Sequence, residues 1–462
     1  MRLSMLHLLP AVLLVGCAAV PPQATLQAQA DRVLDELVDS TGFSGAVVLM
    51  RDGRVVYERA MGLAQRGPDR PFTTDTASDG GSLAKTMTAA AVWELVAEGR
   101  LSLDDAVSRH VPEYPYAGHT VRQLVTHRNG LPDYGVFDDD FAPGQVRGTA
   151  DLLRATVRRQ PQPVFAPGVQ VEYSNLGFDT AALVVERVTG QPIEAWWRER
   201  YFKPLGLQGI YARPARFADW PVPRTPGYQR KGSAWELFDA YDGEAFIGAS
   251  NVHASARDWA RWGDGFARGR VMAPQRLDAG LLEPMLESGM DNALTRLSWY
   301  CDSARQRCHY SGAYNAFYAH VIWDRARHET VAYVSNSTLQ PWRTARLTRD
   351  LVDVLAGRRS APEPASVLTL FKKEERARIA GTWRSAVLGQ VLIDVQGRRP
   401  FVRVNGGERV SLFPLPDGEF YAPMLDLWLG FTGPVEAPTL HLRSVFDVAE
   451  ATRLNAPAGG TP

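Results

Sequence analysis

The sequence predicts an α/β protein with a smaller all-β unit at its C-terminal end. Helix-forming runs at Leu83 to Ala97, Thr180 to Val188 and Thr344 to Leu355, with an apolar strand-like run at Glu329 to Ser335, carry the first part. The second part rests on short alternating segments beyond residue 380: Gly381-Thr382-Trp383, Val391 to Val395, Phe401 to Val404 and Arg409 to Phe413. Gly, Asn and Asp turns separate them, the pattern of a small antiparallel barrel or sandwich. Ser360 to Ser366, with Pro362 and Pro364, reads as a linker between the two units.

The first helical run carries the strongest chemical signal. Ser82 and Lys85 stand three positions apart in Gly80-Gly81-Ser82-Leu83-Ala84-Lys85, so on a helix both side chains share a face. A serine hydroxyl is a weak nucleophile until a neighbouring base takes its proton, and an amine can be that base. The chain has five lysines (Lys85, Lys203, Lys231, Lys372, Lys373) among its 51 basic residues, the rest being arginines, which stay charged and cannot serve as bases. Gly99 closes the run as a helix C-cap, placing Ser82 at the helix N-terminus, where free NH groups stabilise developing negative charge. SxxK spacing alone also arises by accident in a chain with this many serines.

A second constellation, Tyr173-Ser174-Asn175, lies between the turn Pro167-Gly168 and Leu176-Gly177, a bend that can push a tyrosine and an asparagine into a cleft. A tyrosine beside a lysine can act as general base. The plainer alternative is a half-buried loop tyrosine.

Ser82 to Lys85 followed some ninety residues on by Tyr173 to Asn175 resembles the penicillin-recognising serine hydrolases: class C β-lactamases, DD-peptidases and their esterase and D-aminopeptidase relatives. Phe43 to Leu49 with Asp52 to Val56 is similar to the family's opening hairpin. Gly99 to Val107, Leu124 to Pro132 and Phe246 to Trp259 resemble further family segments, over residues 30 to 355 in all. The resemblance implies an antiparallel sheet flanked by helices, with an all-helical subdomain holding Tyr173. It implies Ser82 as nucleophile, Lys85 and Tyr173 as shared base and acid, and Asn175 as a donor to substrate. His127 matches a position read as structural.

The family's third motif, a lysine or histidine, then a small hydroxyl or other residue, then glycine, is best matched by Tyr310-Ser311-Gly312-Ala313. The oxyanion hole would then be the NH groups of Ser82 and Ala313, with Tyr310, Ser311 and Gly312 lining the substrate site. Tyrosine at the cationic position cannot supply the fixed charge that binds a substrate carboxylate, so an esterase or peptidase is expected ahead of a true β-lactamase. Two alternatives remain. His309 could take the cationic role if the strand bulged there, giving a DD-peptidase or β-lactamase. A catalytically idle family member could act as a cell-envelope binding protein.

The chain has 462 residues and zero formal net charge, enough for two domains, and its neutral balance argues against nucleic acid as partner. No metal-ligand spacing stands out, and no metal or cofactor is expected. Met1 to Cys17, with Arg2, an apolar run and Leu14-Val15-Gly16-Cys17, resembles a bacterial lipoprotein signal ending in a lipobox. Cys17 would carry the lipid anchor, and Ala18 in place of aspartate suggests the outer membrane, facing the periplasm; an ordinary cleaved secretory signal is the alternative. Cys301 and Cys308 remain, and in an oxidising compartment they are expected to pair; reduced thiols are the alternative. The expected organisation is a signal at 1–17, a tether at 18–29, a hydrolase domain at 30–358, a linker at 359–372 and a β domain at 373–457 similar to the lipocalin-like appendage of some relatives. A small-molecule or peptide substrate is implied. The acyl and leaving groups and the oligomeric state stay open.

Overall fold

Five helices frame the molecule: α1 (Gln23–Thr41), α2 (Ala84–Ala97), α3 (Asn175–Thr189), α4 (Ala256–Ala267) and α5 (Pro341–Leu355). The computed structural model describes residues 23–455 apart from short stretches, the longest of them 273–281, 286–292 and 359–375. Cys17, the lipobox and the proline-bearing linker therefore lie outside the described residues. Helix α1 already includes Gln23, inside the stretch expected to be a tether.

The central sheet has eight strands: β1 (Gly45–Arg51), β2 (Arg54–Met61), β3 (Leu282–Met285), β4 (Ala293–Arg296), β5 (Trp299–Cys301), β6 (Arg307–Tyr314), β7 (Phe317–Asp324) and β8 (Glu329–Ser335). Their order is β3-β4-β5-β6-β7-β8-β1-β2, and every neighbouring pair is antiparallel. Successive side chains on a strand point to opposite faces, and here both faces are apolar. Ala46, Val48, Val321, Ala332 and Val334 join the core that contains α2 and α4, whereas Val47, Leu49, Ile322, Val331 and Tyr333 pack with Leu26, Ala30 and Leu34 of α1 and Leu347 and Leu351 of α5. The result is a helix–sheet–helix sandwich.

A mainly helical subdomain inserted after α2 contains α3 and the helix Thr149–Arg159, built over Leu131, Phe137, Leu152 and Leu176. A two-residue parallel pairing, Arg147–Gly148 with Glu244–Ala245, ties it back to the chain beyond. Helix α3 begins five residues before the expected start at Thr180. The Ser174 hydroxyl caps it by accepting from Gly177 N at 3.1 Å, so Asn175 sits in its first turn rather than in a bend.

Beyond the hydrolase domain, nine antiparallel strands between Gly381 and Asn455 form one sheet whose two edge strands, Val410–Ser411 and Phe413–Pro414, are separated only by Leu412, so the sheet nearly closes into a barrel. Its strands alternate: Val391, Ile393 and Val395 are buried around Trp383 while their neighbours face outward. The barrel meets the larger domain on α5, where the Arg349 guanidinium lies 3.5 Å over the buried Trp428 ring. That helix covers the sheet face opposite α2.

Candidate active site

Gly80 to Leu83 deliver the serine. A 3₁₀ turn over Gly81–Leu83 runs directly into α2, leaving Ser82 half-buried at the helix entrance and Lys85 fully buried one turn on. A buried amino group needs hydrogen-bond partners, and this one has three. Lys85 Nζ donates to Ser82 Oγ at 3.2 Å, Asn175 Oδ1 at 2.7 Å and the Ala249 carbonyl at 2.9 Å.

Tyr173, 36 % exposed, arrives from the segment just before α3, and its hydroxyl lies 2.5 Å from Ser82 Oγ. Its ring is held on two sides: Lys85 Nζ sits 4.7 Å from the ring centroid, and His127 stacks on it at 4.7 Å and 26°. The His127 Nδ1 accepts from Ser174 N at 3.0 Å, and burial together with the nearby Lys85 charge lowers its pKa to about 3, leaving a neutral clamp. One hydroxyl thus faces both an amine and a phenol, an arrangement able to remove and return a proton.

Two carboxylates that sequence reasoning missed support this cluster. Asp179 is buried on α3. It accepts from Ala249 N at 2.9 Å and from the Tyr134 hydroxyl, holding the residue whose carbonyl receives Lys85. Burial raises its carboxyl to about 7, against the lowering effect of those hydrogen bonds and of Lys85. Asp133 accepts from Asn175 Nδ2 at 3.3 Å, so part of that amide's donor capacity is already engaged within the protein.

Strand β6 closes the other side. An added Cβ on Gly312 would stand 1.9 Å from the Gly80 carbonyl oxygen and 2.6 Å from the Ser82 nitrogen, and one on Gly81, whose φ is +49°, would stand 2.7 Å from the Ala313 nitrogen. Glycine at both positions lets the nucleophile turn and β6 touch backbone to backbone beside Ser82 and Ala313. Ala313 is exposed and Ser311 half-buried, while Gly312 is buried. Tyr310 shares a face with Gly312, but its ring is 2 % exposed and stacks on Tyr300 at 5.3 Å and 7°, a packed position where a substrate-lining side chain was expected. His309 points to the opposite face and meets His320 Nε2 at 3.0 Å. The β6–β7 register runs unbroken from Arg307↔Asp324 to Tyr314↔Phe317, so the bulge that would turn His309 toward the site does not form.

Cys301 and Cys308 sit directly opposite each other on β5 and β6 and are joined as a disulfide. Among the described residues no group of acidic, cysteine and histidine side chains could hold a metal ion, and no helix is long and apolar enough to cross a membrane.

A helix-borne serine with lysine one turn on, a tyrosine from a helical subdomain and a glycine-lined strand edge define the β-lactamase and transpeptidase class of fold. The Beta-lactamase family model matches residues 30–356, and the chain belongs to that family. It is 36 % identical over 214 residues to Esterase EstB of Burkholderia gladioli, across 42 % of this chain and 54 % of the esterase. It is 21 % identical over 424 residues to Penicillin-binding protein 4* of Bacillus subtilis (strain 168), across 87 % of this chain and 92 % of that protein. In fold it matches the octameric penicillin-binding protein homologue from Pyrococcus abyssi, with a TM-score of 0.63 at 19 % identity, over 92 % of this chain and 99 % of that one.

Proposed function

We propose that this chain is an exported serine hydrolase that forms an acyl-enzyme at Ser82 on an ester or amide and releases it to water. The observation that carries this reading is the double contact on Ser82 Oγ, from Tyr173 at 2.5 Å and from Lys85 at 3.2 Å. Ser82 Oγ adds to the scissile carbonyl as its proton passes to the Tyr173–Lys85 pair. The resulting oxyanion is held by the NH groups of Ser82 and Ala313. Collapse expels the leaving group, which takes the proton, and water then repeats the sequence to free the acid and restore Ser82.

Esterase or peptidase chemistry ranks above β-lactam hydrolysis. Tyr310 stands where relatives of the antibiotic-hydrolysing kind carry a cation, and His309 lies behind the sheet. The similarity to an esterase agrees with this ranking. Export and a lipid anchor at Cys17 rest on the N-terminal sequence, and the Cys301–Cys308 pairing suits an oxidising compartment. A parallel screen over p-nitrophenyl esters, D-amino-acid amides and nitrocefin tests the reading. Turnover of neutral esters or amides above nitrocefin supports it; no turnover of any of them, with no covalent labelling, would point instead to an idle binding protein.

A further inference from the structure

Beneath the site lies a chain of buried charges that touches both sides of the oxyanion pocket. On the serine side, Asp79 is 1 % exposed and its Oδ1 accepts from Gly81 N at 2.7 Å, one residue before the nucleophile. Its Oδ2 lies 3.2 Å from His253 Nε2 and 3.8 Å from Arg213 Nη1. On the strand side, Glu244 Oε1 accepts from the Tyr314 hydroxyl at 2.8 Å, one residue past Ala313, while Glu244 Oε2 accepts from Arg147 Nη2 at 3.0 Å. Between the two carboxylates stands Arg213, 3 % exposed, with Nη2 donating to the Glu244 carbonyl at 3.2 Å and 3.6 Å from Glu244 Oε1. Its guanidinium is stacked between Tyr314, 5.1 Å from the centroid, and Trp220, at 5.5 Å. Burial alone would raise the Asp79 carboxyl, but His253, Arg213 and the Gly81 amide outweigh it and hold the group below its ordinary value, so an anion is kept under the nucleophile loop.

An arginine buried this deeply must be charge-compensated, and two carboxylates do so here. What distinguishes the arrangement is where they lead. One ends on the amide next to Ser82 and the other on the residue next to Ala313. The two backbones touch at Gly312 and Gly81 with no side chain between them, so their separation has to be fixed from below. We infer that Arg213 is a positioning residue which sets the spacing of the two oxyanion-hole amides, through Asp79 on the nucleophile side and through Glu244 and Tyr314 on the strand side. This inference rests on the serine-hydrolase reading above. It predicts an effect on the tetrahedral state and not on ground-state binding, because the amides meet their full charge only when the oxyanion forms.

The test compares wild type with Arg213→Lys, which keeps the charge but cannot span both carboxylates, and with Tyr314→Phe, which removes one oxygen atom. Three quantities are measured on each protein: mass added at Ser82 by a fluorophosphonate, kcat and KM for a p-nitrophenyl ester, and the inhibition constant of an arylboronic acid, which mimics the tetrahedral oxyanion. Both variants should lose about tenfold or more in kcat with KM within about twofold, and boronate affinity should weaken by the same factor as kcat. A purely structural role would lower the melting temperature without coupling kcat to boronate affinity. Should Arg213→Lys fail to fold, Tyr314→Phe decides alone. A folded variant that keeps kcat and boronate affinity within twofold of wild type, or that changes only KM, overturns the positioning role. Wild type that takes no label at Ser82 and binds no boronate overturns the hydrolase reading, and this inference with it.

Discussion

Gly312 stands so close to Gly80 that an added β-carbon would lie 1.9 Å from the Gly80 carbonyl oxygen, well inside van der Waals contact. The neighbour is backbone and cannot swing aside. Gly312→Ala must therefore push β6 away from the nucleophile turn and separate the Ser82 and Ala313 amides. Loss of one oxyanion donor costs about 100- to 1,000-fold in kcat elsewhere, and a fall of at least that order is expected here. Steady-state kinetics on a neutral ester, with a thermal melt beside it, checks this; near-normal kcat would mean the pocket is built elsewhere.

Lys85→Arg keeps a positive charge but removes an amine that can exchange its proton, and the bulkier fork cannot reproduce the contacts to Ser82, Asn175 and Ala249. Acylation should slow by about 100-fold or more, the scale of general-base catalysis. Single-turnover labelling rates measure it directly. A mild effect would reduce Lys85 to an electrostatic prop and shift the base role to Tyr173.

Acid should unfold this protein through its buried imidazoles. Burial pushes His127 and His320 down to about 3 and His119 to about 4, from an ordinary 6.5. Between those values the unfolded chain binds protons that the folded one refuses, so stability falls as pH drops below about 6.5. Asp179, raised by burial to about 7, acts with opposite sign: the folded state holds a proton that the unfolded carboxyl releases above its ordinary 3.8, and that contribution is lost as pH rises toward 7. Melting temperatures measured from pH 4 to 8 should show His320→Gln flattening the acid limb and Asp179→Asn removing the loss toward neutral pH. Unchanged slopes in both variants would contradict these assignments.

Tyr310→Lys places a cation where the family pattern has one. Because a charge-assisted hydrogen bond contributes roughly 1.5 to 3 kcal/mol, the ratio of kcat/KM for carboxylate-bearing over neutral substrates should rise about tenfold to a hundredfold. Tyr310 packs on Tyr300, so some general loss from disturbing that stack is expected, and only the ratio is diagnostic. A ratio that does not move would mean that position 310 has no electrostatic reach to the substrate.

The parts of this site that the sequence makes legible are those encoded locally. Ser82 and Lys85 share a helical turn and Tyr173 lies beside turn residues, so their spacing and setting, taken with the family resemblance, bring out both motifs. The early start of α3 is harder to see because Gly177 weakens a helix; the Ser174 cap compensates for it, and the Asn129 side chain leaves no room for a β-carbon at Gly177. Asp179, Asp133 and Arg213 carry no local signature. Their roles come from contacts with Ala249, Asn175, Asp79 and Glu244, far away in sequence, which only the fold assembles. Likewise strand alternation places Tyr310 on the face of Gly312, but its burial beneath Tyr300 depends on the neighbouring strand β5.

The central claim is that Ser82 becomes acylated. Intact-protein and peptide mass spectrometry after incubation with a fluorophosphonate, run on wild type and Ser82→Ala, tests it most directly. A single adduct is expected on the peptide containing Ser82 in wild type and none in Ser82→Ala, whose melting temperature should stay close to wild type because one oxygen atom is removed. An adduct on another residue, or ester turnover undiminished in Ser82→Ala, would contradict it.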